Sequence, residues 1–490
     1  MREYIYGKQG DTTPVSFHIP RLEVNNDNEH KGERMSIVTV NTIGSSNYQS
    51  IKGSSQYHDS SSTSLVSTRT YLSRFWILFI FSLVCWFHGV QWNTWGPIAE
   101  SMEAAFPGWG PSTVAMMANW GTIMFVVFVL PVCWAIQRCG LRAGVVSSAA
   151  LIFLGTALRC ITSTPPVFTV MCHTCAILMG ISSTLILAAP VLIASDWFPL
   201  QERTTAVAVM MGASQLGLLG SYLEPLLVRL PSPQVNIDDT RRDVTHLLYL
   251  GAGLAGLLLL AVLIYFPSKP PTPPSVVSST DRLDFIPGLL SIIKNKQFII
   301  LLVAYGVSVG PPVAWMTVLD YSLLPLEFHQ DQAMGIGIST VIVSSLSPVI
   351  AGRINDLIQG HLRTITFILM LSTSLFFYWF LLISYQVLTP STWQVYFSVI
   401  GSVSCNFATI PLLFEVGLDL AYPVQEILVS GVIVLMDNIT CVIFLLAFFI
   451  PNVGYLWMTY TLVLCTSLAM MPLIFVKFEY TRLNIDTSKN

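Results

Sequence analysis

The sequence predicts an all-α, polytopic membrane protein with 12 transmembrane helices in two six-helix halves, and three observations predict it. Twelve apolar stretches follow one another between Arg74 and Val476. The 490-residue chain is 53% hydrophobic and only 10% charged, with a mean hydropathy of +0.65. Soluble domains carry about 25% charged residues. The longest polar link between spans divides them six and six. A span needs roughly 20 mostly apolar residues, because a rise of about 1.5 Å per residue must cover about 30 Å of hydrocarbon. One such stretch is an anchor. Twelve in tandem make a machine, and most such machines move a solute.

Residues 1–70 are polar, with runs such as SSQYHDSSSTS, and no apolar stretch opens the chain as a cleavable signal would. They are expected to form a disordered tail. The first six-helix half covers 71–266, with spans at 75–98, 112–136, 143–161, 166–194, 204–227 and 245–266. The link, 267–296, opens on PSKPPTPPS and carries charges to Lys296. The second half covers 297–476, with spans at 297–321, 332–352, 364–386, 392–414, 425–449 and 454–476, and 477–490 form a short tail.

Lys and Arg set the orientation, because loops rich in them stay in the cytoplasm. With the amino terminus there, fourteen of these residues from Arg69 to Lys489 fall on the cytoplasmic side, against Arg159, Arg229, Arg241 and Arg242 on the other. Both termini and the link are therefore expected to be cytoplasmic. The nine cysteines are scattered, and the pair Cys172 and Cys175 has no matching second pair, so packing is expected rather than a metal site. The net charge of -3 is uninformative, and the lack of a large basic patch points away from nucleic acid. No phosphate-binding G-x-x-x-x-G-K-[ST] loop is present, so no built-in ATPase is expected, and no cofactor. No His is followed five positions later by Asp, which removes a common membrane acyltransferase pattern, and no enzyme is expected.

Span one places Cys85, His88, Trp92 and Trp95 on one helical stripe, with Asn93 beside it and Gly96-Pro97 disturbing the outer end. Span seven, at the corresponding place in the second half, holds Tyr305, Gly310-Pro311-Pro312 and Trp315, and is expected to kink. Interrupted helices at corresponding places point to a binding site. Aromatic faces suit a flat ring or an organic cation, worth about 0.5–2 kcal/mol. The competing reading puts these rings in an interfacial belt or in helix packing. Asn406 and Gln215 offer hydrogen bonds to a solute, although such residues more often bond helix to helix. Asp437, beside Asn438, lies at the middle of span eleven, where a charge is expensive. Asp437 and the mid-depth His88 are the expected proton carriers, the alternative being a satisfied bond to a neighbouring helix. Glu415 and Glu426 bracket a loop without Lys or Arg and are expected to meet Arg142 or Arg203 across the halves.

Several strings resemble one family: VQWNTWGPI (90–98), QRCGLR (137–142), GTALRC (155–160), DWFPLQERTTA (196–206), YFPSKPPTPPS (265–275) and PLLFEVGLDLAYPVQE (411–426). Together they look like solute carrier family 49 of the major facilitator superfamily, over all twelve spans but not the tail. That resemblance implies the major facilitator fold and alternating access. The superfamily carries a G-x-x-x-D loop after spans two and eight. GRIND supplies the second copy, giving Gly352 and Asp356 a gating role, while Cys133 and Gln137 replace the Gly and Asp of the first. In one branch of the family the implied activity is proton-driven export of pyridoxine (vitamin B6) from the lysosome. Other branches are associated with choline, ethanolamine and haem. The expected partners are a flat polar or cationic organic solute, protons and the bilayer, in the lysosomal membrane or alternatively the plasma membrane. Tyr48–Ile51 and Tyr480–Leu483 fit tyrosine-based patterns for sorting adaptors. A choline, ethanolamine or haem carrier, and a non-transporting sensor or scaffold, are the rival readings.

Overall fold

The computed structural model describes residues 35–40, 64–229, 235–326, 330–447, 456–477 and 482. Strands β1 (Met35–Val40) and β2 (Ser64–Arg69) precede the helices. The first half holds α1 (Ser73–Trp92), α2 (Ala99–Ala105), α3 (Pro111–Cys139), α4 (Leu141–Leu158), α5 (Pro165–Trp197), α6 (Arg203–Leu223) and α7 (Ile237–Ile264). The link holds α8 (Phe285–Lys294). The second half holds α9 (Lys296–Met316), α10 (Leu319–Leu323), α11 (Gln330–Leu357), α12 (Leu362–Ser384), α13 (Thr392–Ala421), α14 (Glu426–Leu446) and α15 (Leu456–Ile474). Twelve of these helices are long and apolar enough to cross a bilayer, all but α2, α8 and α10. The side that carries the link is here called the link side, and the opposite one the far side.

Two expectations are corrected. Within the tail expected to be disordered, β1 pairs antiparallel with β2, Met35 opposite Arg69 and Val40 opposite Ser64. Both are short runs rich in β-branched residues, which suit a pleated ladder. The Tyr48–Ile51 pattern, and the Tyr480–Leu483 pattern apart from Arg482, lie outside the described residues. Span one does not reach residue 98: α1 stops at Trp92, and Asn93 is its C-cap. Span seven is helical as far as Met316, with the buried Pro311 and Pro312 inside it.

Close approach of small residues holds the bundle together, as is usual where lipid supplies no hydrophobic drive between helices. A Cβ built at Gly217 of α6 would stand 2.1 Å from the Trp86 carbonyl oxygen of α1, and one at Gly89 would stand 2.2 Å from the Ser214 oxygen. The two halves meet along α6 with α11 and α3 with α14. There a Cβ at Gly212 would lie 2.5 Å from the Ser345 oxygen, and one at Gly431 2.7 Å from the Cys133 sulfur. Large apolar side chains such as Phe79, Leu257, Phe397 and Ile443 stay exposed on the spans, the surface a bilayer would cover.

Candidate functional site

The first half builds an aromatic wall at the far-side end of α1. Trp92 ends α1, half-buried, and its indole occupies the space a side chain would take at Gly121 of α3, 2.1 Å from a Cβ built there. One turn below, the buried His88 ring packs on it with centroids 5.6 Å apart. His88 Nε2 lies 3.2 Å from the Met179 carbonyl oxygen of α5, which fixes the ring. Asn93 is half-buried at the helix end, its Oδ1 folded over Gly96.

The second half contributes Tyr305 and Asp437. Tyr305 is buried on α9, edge-on to Phe414 at 5.8 Å. It lies within electrostatic reach of Asp437 and Cys441 on α14. Asp437 is half-buried, and its one described side-chain contact is a long one from Cys441 Sγ, 3.9 Å from Oδ1. Gly310 lets α14 close in, since a Cβ there would meet Thr440 Oγ1 at 2.0 Å.

The depths of the two walls follow from α3 and α14. These touch at Cys133 and Gly431. Six residues further along α14, about 9 Å, lies Asp437; twelve residues along α3, about 18 Å, lies Gly121 with Trp92 on it. His88, four residues or about 6 Å below Trp92, is thus close to the level of Asp437.

Other candidates sit elsewhere. Trp95 is packed in a far-side core against Trp109 (5.1 Å) and Phe168 (6.4 Å). Trp315 is fully buried between Phe377 and Phe380, and its Nε1 donates to Ser322 Oγ at 2.7 Å. Asn406 uses its amide to donate to the Ser308 carbonyl oxygen at 2.8 Å, joining α13 to α9. These three serve packing rather than the wall. They share stripes or spans with the wall residues but lie in the interior of a half.

The gating residues converge on the link side, with partners different from those expected. Glu426 accepts from Arg282 of the link at 2.5 Å and from Ser195 of α5 at 3.0 Å. Glu415 pairs with Arg482 at 3.2 Å. Arg203 donates to Ser275 and Ser278 of the link at 2.6 and 2.9 Å. Arg142 bonds the Leu263 carbonyl oxygen and, through its backbone N–H, Ser268. The ion pairs described for Glu426 and Glu415 are thus with Arg282 and Arg482. Asp356 accepts from both the backbone N–H and the hydroxyl of Thr205, each at 2.7 Å, so the second half caps the first turn of α6. Beside it Asn355 donates to Thr204 at 3.2 Å, and a Cβ at Gly352 would lie 3.0 Å from the Thr204 oxygen. Cys133 donates to the Ile427 carbonyl oxygen and Ser430 to that of Ala188. The sequence reading missed Ser195, Thr205, Arg282 and Arg482. The first two belong to or adjoin the DWFPLQERTTA string, which was the available signal.

The profile described as Major Facilitator Superfamily matches residues 71–445. The chain is 28% identical to the solute carrier family 49 member 4 homolog of Xenopus tropicalis, over 85% of this chain and 94% of that protein. It is 27% identical to the choline/ethanolamine transporter flvcr2a of Danio rerio over 76% of this chain and 79% of that protein. The figures for the human choline/ethanolamine transporter FLVCR2 are 25%, 76% and 70%. Among solved structures, the transporter FucP in the outward conformation superposes with a TM-score of 0.64 at 12% identity, covering 83% of this chain and 99% of that one. A partially occluded inward-open conformation of the xylose transporter XylE from E. coli gives 0.57 at 14% identity, over 83% and 98%. At such identities these two likenesses concern the fold.

Proposed function

Because the chain belongs to the major facilitator superfamily and is a multi-pass membrane transporter of that type, we propose that it carries a small organic solute, pyridoxine as first choice, by proton-coupled alternating access. The observation that carries this reading is the aromatic pair at the broken end of α1, the buried His88 packed on the half-buried Trp92. An aromatic face stacks on a pyridine ring, and Asp437, about 9 Å nearer the link side, is the group to bind the driving proton. His88 is the second proton candidate, and Asn93 a hydrogen-bonding one.

The link-side bonds of Glu426, Asp356, Asn355, Ser430 and Cys133 tie the halves together there, which suits a state closed on that side. The Lys and Arg bias supports a cytoplasmic link side, which in this reading leaves the solute path of such a state toward the lumen or exterior. Export from the lysosome is the address that the family resemblance implies, and the plasma membrane is the alternative.

A second reading rests on the relatives named choline/ethanolamine transporters. A quaternary ammonium would use the same Trp92 face through cation–π attraction. Thermal unfolding of the purified protein separates the two, since a ligand that binds the folded state raises the midpoint. Pyridoxine is expected to raise it, and Trp92→Ala to abolish the rise. A rise with choline and none with pyridoxine would replace the first reading by the second. No rise with any of these solutes would favour a sensor or scaffold of other specificity.

A further inference from the structure

Four polar side chains meet inside the first half, behind the aromatic wall. The early end of α1 creates the meeting: residues 93–98 turn away from the helix and bring Thr94 against the end of α6. Thr94 Oγ1 donates to Glu224 Oε1 at 3.1 Å, and both side chains are buried. The other carboxyl oxygen, Glu224 Oε2, is buried with no hydrogen-bond partner. Arg159, the C-cap of α4, is only 3% exposed. Its Nη2 donates to Gln91 Oε1, its Nε has no partner, and its guanidinium lies 5.4 Å over the Trp95 ring. Among the described residues Arg159 makes no ion pair, although Glu224 is within its electrostatic reach. The remaining titratable groups facing this cluster are Cys160 at the end of α4 and Cys172 and Cys175 of α5, all around Arg159. From α7 the neighbour is Gly251, beside the Gln91 amide.

A buried carboxylate with one oxygen unpartnered, next to a guanidinium that an amide holds away, is costly as two fixed charges, because burial removes the water that would solvate them. A proton on Oε2 completes it: the neutral carboxyl keeps the Thr94 bond, and Arg159 keeps Gln91 and Trp95. We propose that Glu224 is a proton-binding site of the first half, with Arg159 as its exchangeable counter-ion. When the proton leaves to water, the guanidinium moves from Gln91 to the free carboxylate. Gln91 and Thr94 flank Trp92, so the exchange acts on the segment of α1 that carries the aromatic wall. Only this last consequence rests on the transport reading; proton binding itself does not.

Infrared difference spectra of the full chain in lipid nanodiscs, stepped between about pH 5 and about pH 8, test the site. The wild type is expected to show a protonated-carboxyl band, one component of which is lost in Glu224→Gln and kept in Asp437→Asn. Thr94→Val, which removes the hydroxyl donor, is expected to shift that component in frequency. A Glu224→Gln spectrum that superimposes on the wild type overturns the proposal. If that variant does not fold, an unshifted band in Thr94→Val overturns it. Acid-driven flux with an unchanged Glu224→Gln spectrum would remove this site alone. A Glu224 component without any pH-dependent flux would remove proton coupling and leave the site standing.

Discussion

Gly121 carries no side chain where the Trp92 indole lies, so the ring position is set by the absence of one methyl group. Gly121→Ala is therefore expected to displace the indole. It should weaken solute affinity by about 2- to 30-fold, the equivalent of about 0.5–2 kcal/mol of lost aromatic attraction. The KM of flux reports it, and an unchanged KM would take Trp92 out of the site. Trp315→Ala should behave in the opposite way. It empties a packed core between Phe377 and Phe380, costing about 3–5 kcal/mol of stability, with the KM of the surviving protein unchanged. Both tryptophans were candidates from the sequence, and only their surroundings separate them. Helical spacing shows which residues share a stripe. It does not show where along the stripe the cavity gives way to the interior of one half. Arg159 and Glu224 were illegible for a related reason: each lies near a span end in hydropathy, and only the break in α1 encloses them.

At the scale of elements, hydropathy gave the number and order of the twelve spans, because each requires about 20 apolar residues whatever its partners, but α7 begins eight residues earlier and α13 ends seven residues later than expected. It misplaced the end of α1, since Asn93-Thr94-Trp95-Gly96-Pro97-Ile98 carries no charge to mark where the helix stops. The contacts of α1 with α6 leave no room for side chains: Gly217→Val would drive atoms into the Trp86 carbonyl oxygen and Gly89. Backbone cannot yield as a flexible side chain can, so a loss beyond the usual 1–3 kcal/mol of overpacking, seen as loss of folded protein, is expected. The link-side contacts draw on elements distant in sequence, Arg282 for Glu426 and Arg482 for Glu415, which no local pattern announces. Breaking a buried pair by removing one partner costs about 3–5 kcal/mol. Glu426→Ala, which leaves Arg282 and Ser195 without their acceptor, should therefore open the link side. Cys133, buried between the halves, is the reporter. In a background with the other cysteines replaced, its maleimide labelling should speed up on Glu426→Ala. An unchanged rate would mean that Glu426 does not hold the halves together.

At the scale of the whole molecule, the fold and the family are established, and the solute and its driving ion are the proposal. A carrier that binds its proton at Asp437 and its solute at Trp92 must couple one to the other, so the two variants should fail differently. Asp437→Asn is expected to keep binding but lose acceleration by acid, because an amide cannot exchange a proton. Trp92→Ala is expected to lose binding at every pH. The decisive measurement is flux of labelled pyridoxine into cells that display the protein at their surface, at about pH 5 and about pH 7.5 outside, with choline as competitor. Saturable uptake, faster at the acidic pH, abolished in Trp92→Ala and insensitive to pH in Asp437→Asn, is the predicted result. Protein present at the surface with no pyridoxine uptake at either pH would contradict it.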